Sequence, residues 1–395
     1  MPAAVAEDWQ SLETDLEFGD RPQHGSRGPI TITRASRAHP LAAALLGSAR
    51  ALGIPEDPDK NSDDAPGAGL TPTNSDRGTR VDSATAFLTG HTPTLEVRAQ
   101  QRVTNVLWSS PSRARAEGVR VMHGGRARHE YADVVILACG AIASAHLLQL
   151  SGVGPADVLT PAGIEPLLVL PVGAGFSDHP NVDLQFRWSG PVSVPDDEPA
   201  LGVSVHGSSG VDNSSVAGDV EALSFHTPLG RMLGTDPEST TMSLLCSALV
   251  SAGRGTLIST SPDPSTPPAL HFHYRESAEE RDRLRAAVRL GAALLTTETG
   301  RAHDVQPEGW TLADIEDDAR IDRWIDAHLS TALHTCGTTP MGKASDPRAV
   351  VDGAGRIHGA TGLVIADAGI LPDTPTGGPA ATAALIGRVI GRSLL

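Results

Sequence analysis

The stretch HTCGTTPMG at 334–342, followed by VVDGAGRIHGATGLVIADAGILPDTPTGGPAATAALIGRVIGR at 350–392, decides how this chain is read. An isolated His334 stands before a Gly-Thr turn at Gly337 and Thr338. Leu363 to Ala366 form a continuous apolar run, the mark of a buried strand, and Asp367 closes it. Pro372, Pro375, Gly377 and Gly378 make the next segment a loop, and Pro379 opens a helix, where a fixed φ and a missing N–H cost nothing. The apolar positions Ala380, Ala384, Leu385, Ile386 and Val389 call for burial of that helix. Its unpaired N–H groups and dipole favour an anion at its start. A neutral imidazole at His334 can accept a proton near physiological pH.

Composition bounds the classes that remain. With 395 residues the chain can fill two or three domain-sized cores. Apolar runs such as Val134–Cys139 are too short to span a bilayer, so no transmembrane helix is expected. The start is acidic (Glu7, Asp8, Glu13, Asp15, Glu17) and lacks the basic and apolar regions of a secretory signal, so cytoplasmic residence is expected. A net charge of −16 without a dense basic run opposes nucleic acid as a partner. Cys139, Cys246 and Cys336 are widely spaced and form no C-x-x-C pair, which disfavours a disulfide framework and a thiolate zinc site. His271 and His273 alternate onto one strand face without a nearby third ligand, so no metal site is expected.

Along the chain, residues 1–34 carry no G-x-G-x-x-G after a strand. Ile30 and Ile32 read as a short strand, and His39–Leu52 as a helix ending at Gly53. Residues 55–80 read as loop. Strands are expected over Thr94–Ala99, Val103–Trp108 and Gly118–Met122. A further strand, Asp133–Cys139, should be buried on both faces and lead through Gly140 into a helix. Gly173-Ala174-Gly175 is followed by Asp178 where a dinucleotide fingerprint needs glycine, so the segment is not read as one. Beyond Asn181, short strands imply an antiparallel sheet, with a hairpin in 251–274 and helices over Ala278–Thr297 and Leu312–Leu329.

Taken in order, these motifs resemble the glucose–methanol–choline (GMC) family of flavin oxidoreductases. HGSRGP at 24–29, DPDKNSDDAPGAG at 57–69, GTRVDSATAFL at 78–88, GAIASAHLLQLSGVG at 140–154, LPVGAGFSDHP at 170–180 and the terminal stretch each match a segment of the family. The resemblance implies FAD as cofactor, a small-molecule alcohol or a reduced carrier as substrate, and His334 as the base for hydride transfer. It places Val103 near the adenine, Gly140 near the nucleotide, Asp367 and Ala368 along the ribityl and diphosphate portion, and Gly378 and Pro379 at the flavin ring, and it makes His179 a structural residue of the D-H-P loop.

The implied fold is α/β: an incomplete, Rossmann-like FAD-binding domain, its first βαβ unit absent, interleaved with an antiparallel-sheet α+β substrate domain. The expected division gives 1–53 and 181–333 to the substrate domain and 54–180 and 334–395 to the FAD-binding and active-site part. Gly378 stands where the family commonly has asparagine or histidine, and PTGGPAATA at 375–383 resembles the mycofactocin-associated branch. The rival reading is a truncated, non-catalytic remnant or a binding or partner subunit of the same fold, favoured by the absent fingerprint and by Gly378.

Overall fold

The computed structural model describes residues 3–62, 66–90, 94–110, 113–192, 194–211, 217–250, 253–302 and 304–394. Two units emerge, each assembled from separate stretches: 1–91, 179–252 and 275–332 in the first, and 92–178, 253–274 and 333–395 in the second.

The first unit is built on a seven-stranded sheet, with Pro180–Arg187 and Met242–Ala248 paired antiparallel at its middle. Alternation along these strands sends Val182, Leu184, Phe186, Leu244 and Cys246 to one face, all buried. That face receives the helix Ala278–Thr296, whose buried Leu284, Ala287, Val288, Gly291 and Leu295 recur at helical spacing. Gly291 permits the close approach, since a Cβ there would lie 2.4 Å from Cys246 Sγ and 2.8 Å from Leu184 Cδ1. Ser277 caps the helix by accepting from Glu280 N, with Glu279 and Glu280 in its first turn.

A smaller sheet in this unit pairs Glu13–Asp15 in parallel with Ile30–Thr33. Beneath it, Arg34 donates from Nη1 and Nη2 to the two oxygens of Asp15, each at 2.9 Å. His24 lies between Glu13 (2.9 Å) and Asp59 (3.1 Å), and Arg21 also donates to Asp59 at 2.9 Å. Burial alone would raise the Asp15 carboxyl, but the Arg34 guanidinium and the Phe18 and Glu17 N–H groups hold it below its ordinary value. Burial pushes Glu13 up. Glu13, Asp15 and His24 bring ligand-type atoms within 4.8 Å of one another. The guanidinium on both Asp15 oxygens makes the group an ion-pair network.

The second unit contains a three-stranded antiparallel meander (Arg102–Ser110, Arg113–His123, Arg126–Tyr131), a parallel pair (Val135–Leu137 with Leu363–Ile365) and a hairpin (Thr256–Ile258 with Ala269–His271). Its core gathers Val106, Leu137, Leu148, Phe176, Leu257, Val364 and Ile386. Gln149, fully buried on the helix Ala141–Leu150, joins that helix to the hairpin. Its amide donates to Val172 O (2.9 Å) and Leu257 O (3.0 Å), and its oxygen accepts from Ser259 N (2.8 Å), so no polar atom of the group is stranded.

Several expectations are corrected. Thr94–Ala99 forms no strand; Leu95 and Val97 are exposed and have no neighbouring strand to pair with among the described residues. The strand expected over Asp133–Cys139 is confined to Val135–Leu137 and buried on one face only, for Ile136 is 49% exposed. The helix expected over Leu312–Leu329 is broken at Asp317, which is extended and accepts from Arg320 N to start a second helix. Residues 55–80 include three short strands, one of which, Ala68–Leu70, joins the seven-stranded sheet. Residues 54–91 accordingly lie in the first unit, and 253–274 in the second, in place of the division expected from sequence. Among the described residues, no helix is long and apolar enough to cross a membrane.

His226 in the first unit is fully buried and stacks on His39, ring centroids 3.9 Å apart at 8°. Burial, and then the neighbouring His39, lowers its pKa to about 3. The unfolded chain takes up this proton below about 6.5, while the folded chain resists it until about 3. Stability is therefore lost as pH falls through that window, by up to roughly 4 kcal/mol at its acid end. His226→Phe, which cannot titrate, should show a shallower fall in unfolding free energy between pH 6.5 and pH 3 than the parent; equal slopes would exclude His226 as a source of acid sensitivity.

Candidate active site

The strand Leu363–Ile365 delivers Asp367 to the start of the helix Ala141–Leu150. Gly140 caps that helix without a side chain, at φ 86°, a conformation that favours glycine. The Asp367 carboxylate ties the cap residue and the first turn to this strand, accepting from Gly140 N at 3.2 Å and Ser144 Oγ at 2.5 Å through Oδ2. Its Oδ1 accepts from Gly369 N at 2.9 Å. Burial raises the Asp367 pKa, and these three hydrogen bonds counter it only in part.

His334 is placed by a second carboxylate. Asp178, 2% exposed, accepts from His334 N at 2.9 Å and from Thr335 Oγ1 at 3.1 Å. Leu333, immediately before the histidine, has φ 63° and is 82% exposed, a backbone conformation costing a leucine roughly 1–3 kcal/mol. On the other side, Thr374 donates to His334 O at 3.4 Å and shares a 2.9 Å hydrogen bond with Ser177 Oγ. The loop from Leu371 to Gly378 is thereby tied to the histidine segment. A Cβ built on Gly378 would lie 3.6 Å from His334 Nε2, so the imidazole faces the residue that precedes Pro379.

Pro379 is the cap of the terminal helix Ala380–Ser393, not its first residue, and makes no side-chain cap hydrogen bond. Ile386 and Ile390 are its buried positions; Ala380 is exposed, and Ala384, Leu385 and Val389 are half-buried, contrary to the burial expected from sequence. This helix inserts only one edge into the core.

The sequence-predicted residues fall into two groups. Gly140, Asp367 and Ala368 meet at the first helix start, where Ala368 O also accepts from Gly337 N. His334, Gly378 and Pro379 meet at the second. Val103 belongs to neither: it lies in the meander opposite Val121. Sequence reasoning missed Asp178, Ser144, Thr374 and the fully buried pair Thr338 and Thr339. Asp178 stands beside the His179 that drew attention in the D-H-P motif, and its acidity in a Gly-rich loop was the available signal.

An anionic dinucleotide fits this donor set. Both helix starts lack side-chain caps, and nothing lies within 4 Å of a Cβ built on Gly140 or Gly377, leaving open space beside each. Thr339 Oγ1 is buried and has no hydrogen-bond partner in the structure.

Comparison with known proteins agrees. Models described as GMC oxidoreductase match residues 2–181 and 251–387. The chain is 32% identical to an uncharacterized GMC-type oxidoreductase in the thcA 5′ region of Rhodococcus erythropolis, over 96% of this chain and 73% of that protein. It is 30% identical to the oxygen-dependent choline dehydrogenase of Stenotrophomonas maltophilia, over 94% of this chain and 72% of that one. Among solved structures it resembles pyridoxine 4-oxidase from Mesorbium loti, with a TM-score of 0.83 at 23% identity, covering 98% of this chain and 76% of that one. Formate oxidase of Aspergillus oryzae gives a TM-score of 0.86 at 19% identity, covering 99% and 77%. The chain belongs to the GMC oxidoreductase family, whose members are FAD-dependent.

Asp367→Ala would leave Gly140 N, Gly369 N and Ser144 Oγ without their acceptor. The expected loss is about 2–4 kcal/mol, several times that of a surface substitution. Urea unfolding followed through Trp108 in the second unit, with the other four tryptophans changed to phenylalanine in both proteins, measures it; a loss under about 0.5 kcal/mol would show that Asp367 does not hold the helix start.

Proposed function

We propose that this protein oxidises an alcohol by hydride transfer to FAD, with His334 Nε2 taking the hydroxyl proton. The observation that carries the reading is the position of His334, whose Nε2 faces the bare Cα of Gly378 beside an uncapped helix start. FAD, when bound, supplies the hydride acceptor. Gly140, Asp367 and Ala368 would hold its nucleotide and diphosphate side, Val103 its adenine, and Gly378 and Pro379 its ring.

The division of labour follows from the side chains. His334 receives the proton as negative charge builds on the alcohol oxygen. The dipole and free N–H groups of the helix Ala380–Ser393 stabilise negative charge arriving nearby. Asp178 and Thr374 keep the histidine backbone in place, so the segment carrying the ring is fixed before substrate arrives. Because Gly378 presents no polar side chain, the substrate hydroxyl is oriented by the imidazole without a second side chain from this position.

In the FAD-reconstituted chain, His334→Ala should slow flavin reduction by an alcohol about 10²–10⁴-fold while leaving flavin content, read from absorbance, unchanged. Unchanged reduction kinetics would remove His334 from the mechanism. Gly378→Asn starts a side chain at 3.6 Å from Nε2, an ordinary contact on an unstrained backbone. It should leave the melting temperature within about 2 °C and raise KM for branched alcohols roughly tenfold relative to small ones; a uniform effect on all alcohols would argue that this position does not border the substrate.

A further inference from the structure

The second unit contains a cavity of about 330 Å³ that the proposed chemistry does not use. This is the small end of the roughly 300–1,000 Å³ range of small-molecule sites. Its walls include Pro340, Met341, Pro347 and Pro372, rigid or apolar surfaces with few groups that can hydrogen-bond. Two guanidiniums, Arg254 and Arg348, and one carboxylate, Asp346, make up its charged lining. The carboxylate is already engaged: Asp346 Oδ1 accepts from Arg348 N at 2.9 Å and lies 3.6 Å from Arg348 Nε. In a chain of net charge −16, the lining of this recess carries two guanidiniums to one carboxylate beside apolar walls.

We propose that this cavity binds a small apolar carboxylate, its ring or chain on the proline and methionine walls and its carboxylate on the fork of Arg254. A guanidinium offers bidentate donors that match a carboxylate, whereas a polyphosphate would need more cationic or uncapped N–H groups than this lining presents. Arg254 is not idle. It donates to Pro372 O at 3.2 Å and pairs with Asp373, which is 63% exposed. The incoming carboxylate therefore competes with Asp373 for the same guanidinium. Asp373 adjoins Thr374, whose hydroxyl reaches His334 O, so the competition loosens the loop that carries Gly378.

The test uses benzoate as probe on the full chain, with binding read by calorimetry and by shifts of the Met341 methyl resonance. Saturable binding with a dissociation constant on the order of 1 mM is expected. Neutral benzamide should bind at least about tenfold more weakly, and Arg254→Gln should weaken benzoate by a similar factor. Asp373→Asn, which removes the competitor, should strengthen it about two- to fivefold. Absence of binding at about 20 mM, equal binding of benzamide, or weaker binding to Asp373→Asn would each overturn the proposal. Should Arg254→Gln fail to fold, the opposite sign expected of Asp373→Asn decides it alone.

Discussion

The Asp367 carboxylate is the constraint on which the second unit turns. It follows one strand of the parallel pair and fastens, from more than two hundred residues away, the glycine cap and first turn of a helix. Gly140 can adopt the positive φ that the strand-to-helix turn requires, but no side chain there can satisfy the helix N–H groups. A remote aspartate instead holds the cap residue's own N–H and the Ser144 hydroxyl, and its burial cost, visible in its raised pKa, is offset only in part by three donors. A turn that needs glycine is held by a carboxylate taken from a different segment.

The same solution recurs at His334. Asp178 accepts from the histidine N–H and the next hydroxyl, and Ser177 with Thr374 ties the following loop to the histidine carbonyl. An exposed leucine at positive φ persists just before it because the flanking hydrogen bonds over-determine the backbone. The histidine backbone is thus held on both sides, with Nε2 3.6 Å from a Cβ built on Gly378. Arg254 anchors the same loop from the opposite end through Pro372 and Asp373.

In the first unit the limiting contact is steric. Gly291 brings the helix Ala278–Thr296 close enough to Cys246 and Leu184 for the sheet face to be dry. That burial pushes the Cys246 thiol well above its ordinary pKa and keeps it an inert packing group. The polar network around Asp15 and Arg34 is buried in this unit too, and it balances charge with charge rather than with apolar contact.

Local pattern determined much of this protein. Alternation at Val182, Leu184 and Phe186, the apolar run at Leu363–Ile365 and the Gly-Pro start before Ala380 each specify an element from neighbours a few residues away. Chain order was enough to identify the family and to single out His334, Asp367 and Gly378. Strand burial was less legible: Asp133 to Cys139 reads as dry on both faces, yet Ile136 is exposed, because exposure depends on what packs alongside and not on the strand itself. The roles of Asp178, Ser144 and Thr374 were decided by tertiary structure alone. Each acts on a residue at least thirty positions away, or on a helix end completed by another segment, and hydrogen bonds formed through space leave no periodicity in the chain to read.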